Sequence, residues 1–135
     1  MDFNTNRHSV YKITFHLVVV TKYRHKCINK EMNERLKEIA NDLFPKFHCE
    51  IVEMETEDDH CHILFEAKPQ TEIVKLVNSF KTVTSRLLRK EFAEHLKPFY
   101  WKPKFWSNSY CIVSTGGAPL DIVAQYVRNQ DKPKH

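Results

Sequence analysis

Between Val10 and Thr21 the chain alternates Tyr11, Ile13, Phe15, Leu17 and Val19 with Lys12, Thr14 and His16. Successive side chains of a strand point to opposite faces, so this pattern predicts one long strand. The period then changes repeatedly. Met32, Leu36, Ile39, Ala40 and Leu43 recur at helical spacing within Glu31–Phe44, and Pro45, which lacks an N–H to donate, ends that helix. His48–Thr56 and His60–Ala67 read as strands joined by a turn at Asp58-Asp59. Thr71–Phe92 carries a stripe of Ile73, Leu76, Val77, Phe80, Val83, Thr84 and Leu87, the mark of a long amphipathic helix. Phe105–Thr115 offers a fourth strand centred on Tyr110–Val113. Leu120–Asn129 offers a short last helix, with Pro119 suited to its first position.

The order β-α-β-β-α-β plus one helix predicts an α+β, ferredoxin-like (RRM-like) split sandwich. Its antiparallel sheet has two helices on one face and leaves the other free for function or for the last helix. A length of 135 residues suits one domain spanning 1–135. The 41% hydrophobic and 28% charged content is that of a soluble globular protein. The apolar run Leu17–Val20 is far too short to span a membrane, and the N-terminus has no basic-then-apolar signal pattern, so a cytoplasmic protein is expected. None of Cys27, Cys49, Cys61 and Cys111 forms a CxxC pair, which argues against a zinc ribbon and for reduced thiols. The only glycines are the pair Gly116-Gly117, placed to free the last helix to move.

The net charge of +4 is modest, but its distribution is informative. Basic residues gather at Lys22–Lys30, Lys75–Lys90 and Lys97–Lys104, apart from the acidic block Glu50–Asp59. Lys75, Arg86, Arg89 and Lys90, with Lys81 at the edge, form the polar arc of the long helix. Such an arc is either a solvated face or a phosphate-binding one. Lys22, Tyr23 and Arg24 combine cations with an aromatic ring at a strand end. In the loop Phe99–Trp106, Trp101 and Trp106 either stack on unpaired bases or pack beneath the loop.

His60-Cys61-His62 is the sharpest local feature. In a strand, residues i and i+2 share a face, roughly 6–7 Å apart at their Cα atoms. Two imidazoles placed so can converge on one metal ion, or can be two exposed strand histidines. Cys61 faces the opposite way. His16 falls on the less apolar face of the first strand, and Asp59 is placed to steady His60. In the last helix Tyr126 and Gln130 lie at i and i+4 on one face. Tyr126 either anchors this helix to the sheet or presents a phenol beside an amide oxygen able to bind metal.

The combination resembles the HUH single-strand nucleases, and among them the single-tyrosine transposases of the insertion sequence 200/605 type. The resemblance rests on Phe15–Arg24, on Asp59-His60-Cys61-His62-Ile63-Leu64, on Phe105–Cys111 and on Gln125–Gln130, in order along nearly the whole chain. Cys61 replaces the usual aliphatic residue of the motif, a small and fairly apolar change. The resemblance implies that Tyr126 is the nucleophile and that His60, His62 and Gln130 hold a divalent metal, Mg²⁺ or Mn²⁺. DNA contacts are expected from the basic and aromatic positions Lys22, Tyr23, Arg24, Lys75, Lys81, Arg86, Arg89, Lys90 and Trp106. The partner is single-stranded DNA with hairpin ends, in a prokaryotic cell and at the nucleoid when bound. The protein is expected to be a homodimer whose tyrosine helix, about 119–130, serves the partner's histidines. Rival readings are a domesticated repeat-associated HUH nuclease, a relaxase or replication initiator, and a non-catalytic RRM-like module.

Overall fold

The alternating pattern is realised in β3 (Ile13–Val20), at an interior position of the main sheet. In the computed structural model, the described residues are 4–5, 10–11, 13–100, 103–114 and 125–130. The expected first strand is divided. Val10–Tyr11 (β2) pairs with Asn4–Thr5 (β1) in a separate two-stranded ribbon, and Lys12 lies outside the described residues.

Helix α1 (Lys30–Leu43) starts at Asn29, whose side-chain oxygen accepts from the Met32 N–H at 2.9 Å and satisfies one of the donors left open at a helix start. It runs into a short 3₁₀ turn, Phe44–Phe47, containing Pro45. His48 closes the turn in the left-handed region, at φ 61°. β4 (Glu50–Thr56) and β5 (His60–Ala67) then form a hairpin, with a register shift between Ile51 and Glu53 that leaves Val52 exposed. Helix α2 (Ile73–Glu91) buries Leu76, Val77, Phe80, Thr84 and Leu88. A short α3 (Ala93–Leu96), not anticipated from the sequence, follows it. β6 (Cys111–Ser114) completes the sheet.

The sheet order is β4-β5-β3-β6, every pairing antiparallel. This is the expected split β-α-β-β-α-β arrangement. Leu17 and Val19 of β3 and Cys61, Ile63 and Phe65 of β5 pack with Met32, Leu36, Leu76 and Phe80 in the core beneath the helices. Val18 and Val20 point the other way and are also fully buried, against Cys111, Val113, Tyr126 and Val127. Cover on both faces explains why Leu17–Val20 is continuously apolar where the rest of the strand alternates.

The sequence also places Gly116-Gly117, Pro119 and the first half of the last helix in the stretch 115–124, which lies outside the described residues. Residues 125–128 are helical, and Asn129 N–H donates to Gln125 O at 3.0 Å. Among the described residues, no helix is long and apolar enough to cross a membrane.

Candidate active site on the second sheet face

Cross-strand partners share a sheet face. Val18 is opposite His62 and Val20 is opposite His60, so both histidines stand on the face that also carries Tyr126. Cys61 between them is fully buried on the helical side, and burial pushes its thiol up to about 12. A thiol so held stays protonated, which removes it from any metal site here.

His60 is held by its neighbour. Its Nδ1 lies 2.8 Å from Asp59 Oδ1, while Asp59 Oδ2 accepts from Arg24 at 3.3 Å. Asp59 is itself fixed, because its backbone carbonyl accepts from Thr21 N–H at 2.9 Å and from the Thr21 hydroxyl at 3.1 Å. The turn that delivers Arg24 puts both Tyr23 and Arg24 at positive φ, 59° and 55°. Two adjacent non-glycine residues in that region carry local strain, offset here by the Arg24–Asp59 pair. Asp59 thus occupies the Nδ1 edge of His60 and leaves Nε2 for a ligand, an arrangement suited to metal ligation.

His62 Nε2 is 2.7 Å from His16 Nδ1, and the two rings lie 4.9 Å apart. Burial lowers the His62 pKa; His16 and His60 lower it further, while Glu55 opposes them. Glu55 is the cross-strand partner of His62, and Glu53 is that of Leu64. Burial keeps His62 neutral, the form that binds metals. Sequence reading did not single out Glu53 or Glu55, because the bulge at Val52 decides which face they occupy. Among the described residues, no group of three or more His, Cys, Asp or Glu side chains is arranged to hold a metal. The third ligand that the sequence suggested, Gln130, is of another chemical class.

Tyr126 and Gln130 meet on one residue. Ser109 Oγ lies 3.0 Å from the Tyr126 hydroxyl and donates to Gln130 Oε1 at 2.9 Å. Ser107 also reaches Gln130 Oε1, at 3.4 Å. Gln130 Nε2 donates to the Tyr126 backbone carbonyl at 3.3 Å, which sets the orientation of the amide. The serines had no periodic signature by which to stand out.

The expected DNA-binding residues separate into groups. Arg86, Arg89 and Lys104 line an open groove of about 430 Å³ between α2 and segment 103–108. Lys90 is exposed near the end of α2, and Lys75 is exposed beside Glu72 at 3.3 Å. The Lys22 ammonium sits 5.1 Å from the centre of the Tyr23 ring, and Arg24 is engaged by Asp59. Two residues are placed differently from expectation. Trp106 is only 5% exposed; its Nε1 donates to Thr84 at 2.8 Å and its ring stacks on Phe80, so it is a core residue and not a platform for bases. Lys81 turns inward, donating to the Ser107 and Asn108 carbonyls at 2.8 and 3.1 Å, and burial lowers its pKa. The sequence left the packing of Trp106 open and set Lys81 at the edge of the arc, because a residue on a helix edge or in an aromatic loop shows its burial only once the loop is packed.

Residues 9–130 match the family model described as transposase IS200-like. The chain is 29% identical over 130 residues to the ISDra2 transposase TnpA of Deinococcus radiodurans, covering 96% of this chain and 92% of that one. It is 27% identical over 129 residues to the IS200 transposase of Salmonella typhimurium, covering 96% and 84%. A crystal structure of a Deinococcus radiodurans transposase superposes with a TM-score of 0.84 at 31% identity, covering 96% of this chain and 98% of that one. A REP-associated tyrosine transposase bound to a REP hairpin shares the fold, with a TM-score of 0.60 at 10% identity over 92% and 68% of the two chains. The chain belongs to the IS200-like transposase family.

Proposed function

We propose that this chain, as one transposase domain, cuts and rejoins single-stranded DNA through a covalent tyrosine intermediate. Tyr126 is the nucleophile, and His60, His62 and Gln130 are the ligands of a divalent cation. The observation that carries this reading is the meeting of Tyr126 and Gln130 on Ser109, beside the sheet face that presents His60 and His62. The donor chemistry fits the cation at His60, where Asp59 holds the Nδ1 edge and leaves Nε2; burial keeps His62 neutral, and its Nε2 would exchange the His16 contact for the cation. Mixed nitrogen and oxygen donors suit Mn²⁺, and phosphate chemistry suits Mg²⁺. When bound, the cation supplies charge for the scissile phosphate.

The chain's own residues account for the remaining steps. Arg86, Arg89 and Lys104 along the groove, with Lys75 and Lys90, hold the DNA backbone by charge. The hairpin bound by the REP-associated relative supports hairpin ends as the DNA form recognised. A free phenol keeps its proton at neutral pH, so Tyr126 releases it on attack. The new bond joins the Tyr126 oxygen to phosphorus, and the bond to the 3′ oxygen breaks. The products are a 5′-phosphotyrosine and a free 3′-hydroxyl, which takes up the proton. The number of phosphodiester bonds is conserved, so a 3′-hydroxyl from another end reverses the step and joins strands without a nucleotide triphosphate.

Residues 126 and 127 rest on Val18 and Val20 of their own chain. In a homodimer the same helix can serve the partner's histidines, and we read the active sites as shared in trans. Mixing Tyr126→Phe with His62→Ala subunits tests this, because one hybrid site then holds both intact parts. Recovered cleavage is expected. No recovery, with mixed dimers shown to form, places each site within one chain. Strand polarity is checked with hairpin-bearing oligonucleotides labelled at either end, in Mg²⁺ or Mn²⁺. The 3′-side fragment should travel with the protein and the 5′-side fragment should be free. Retention of the 5′-side fragment would contradict the stated bond breakage.

A further inference from the structure

The geometry points to Ser109 as a positioning residue that sets the Tyr126 hydroxyl and the Gln130 carboxamide as one unit; this rests on the roles proposed for those two residues. A serine hydroxyl has one hydrogen and two lone pairs. Gln130 Oε1 can only accept, and the Gln130 Nε2 contact with the Tyr126 carbonyl fixes that oxygen toward Ser109. The Ser109 hydrogen is therefore directed to Gln130. The 3.0 Å contact with Tyr126 must then run from the phenol to Ser109 Oγ. This ordered chain aims the phenol hydrogen at Ser109.

A positioning residue needs a fixed base, and Ser109 has one. Ser107 N–H donates to Val20 O at 2.7 Å, and the Lys81 ammonium holds the carbonyls of Ser107 and Asn108. Trp106 is pinned to Thr84 and bridges to Thr21. The segment leading to Ser109 is thus tied to β3, which runs beneath the site, and to α2 on the other side of the sheet. Ser109 carries the frame of the sheet to whichever tyrosine helix rests on it, its own or, in the trans arrangement, that of the second copy. Its hydroxyl is exposed, so water competes for both hydrogen bonds and the effect of losing it is moderate.

The test compares the parent protein with Ser109→Ala and Ser109→Thr, measuring the covalent adduct with hairpin-bearing single-stranded DNA and Mn²⁺. Losing one positioning hydrogen-bond pair should slow adduct formation at saturating DNA by about 10-fold, with threonine restoring it to within about threefold. The DNA concentration at half-saturation should not change. A rate for Ser109→Ala within about twofold of the parent overturns the inference, as does a failure of threonine to rescue. The second readout needs neither DNA nor metal. The Gln130 side-chain amide resonances, assigned by their loss in Gln130→Glu, should move in Ser109→Ala and return in Ser109→Thr. Unmoved resonances overturn the contact even if Tyr126→Phe were to retain the adduct and remove the nucleophile assignment on its own.

Discussion

Asp59 holds the Nδ1 edge of His60 at 2.8 Å and is itself tied to Arg24, so a carboxylate steadies the first histidine of the pair from behind. A histidine tautomer fixed this way presents one nitrogen only. Asp59→Ala is therefore expected to weaken Mn²⁺ binding by about 10- to 100-fold in titration calorimetry, with the fold retained in circular dichroism. Unchanged Mn²⁺ affinity would show that His60 needs no such support.

His62 gives a pH dependence with a defined sign. Burial, then His16, lowers its pKa below the ordinary 6.5, so the unfolded chain binds the proton more readily than the folded one. Stability from this residue is fully present above 6.5 and is lost as the pH falls from there to the lowered native value. Urea midpoints of the parent should therefore fall more steeply than those of His62→Gln between about pH 7 and pH 5. Parallel curves would mean that His62 titrates alike in both states.

Cys61 occupies a fully buried site with its thiol pushed up to about 12, whereas Cys111 is partly exposed. In the native protein a thiol reagent should label Cys111 well before Cys61. Cys61→Val should be nearly neutral, and Cys61→Ser should cost about 1–3 kcal/mol, because the buried hydroxyl would have only the Thr56 hydroxyl, 3.6 Å from the Cys61 sulfur, to offset its lost hydration. Equal unfolding midpoints for the serine and valine variants would contradict the assigned face.

The groove beside α2 predicts a division among lysines and arginines. Arg86→Gln should weaken DNA binding and reduce the slope of log affinity against log salt by about one. Lys81→Met should act through the segment it holds, lowering the thermal midpoint while leaving the salt slope nearly unchanged. The reverse pattern would exchange the roles assigned to these two residues.

Much of the architecture was legible because period and punctuation agreed. The strand His60–Ala67 was read to its final bounds, since the Asp58-Asp59 turn marks its start. The two helices were placed within a residue or two by their stripes and by Pro45. The shared face of His60 and His62 followed from strand geometry alone. What stayed hidden depends on register and packing. Glu55 comes beside His62 through a bulge that no local pattern announces. Ser109 reaches Tyr126 and Gln130 only once its loop is tied to β3 and α2. Lys81 and Trp106 looked like surface chemistry and are instead part of what holds that loop.

The central claim is tested most directly by locating the covalent bond. Protein incubated with hairpin-bearing single-stranded DNA and Mg²⁺ or Mn²⁺ is denatured, trimmed with nuclease and protease, and mapped by mass spectrometry. A phosphodeoxynucleotide on Tyr126, absent in Tyr126→Phe and in reactions with a chelator, is the predicted result. Modification at another residue, or an adduct of equal yield in Tyr126→Phe, would contradict it.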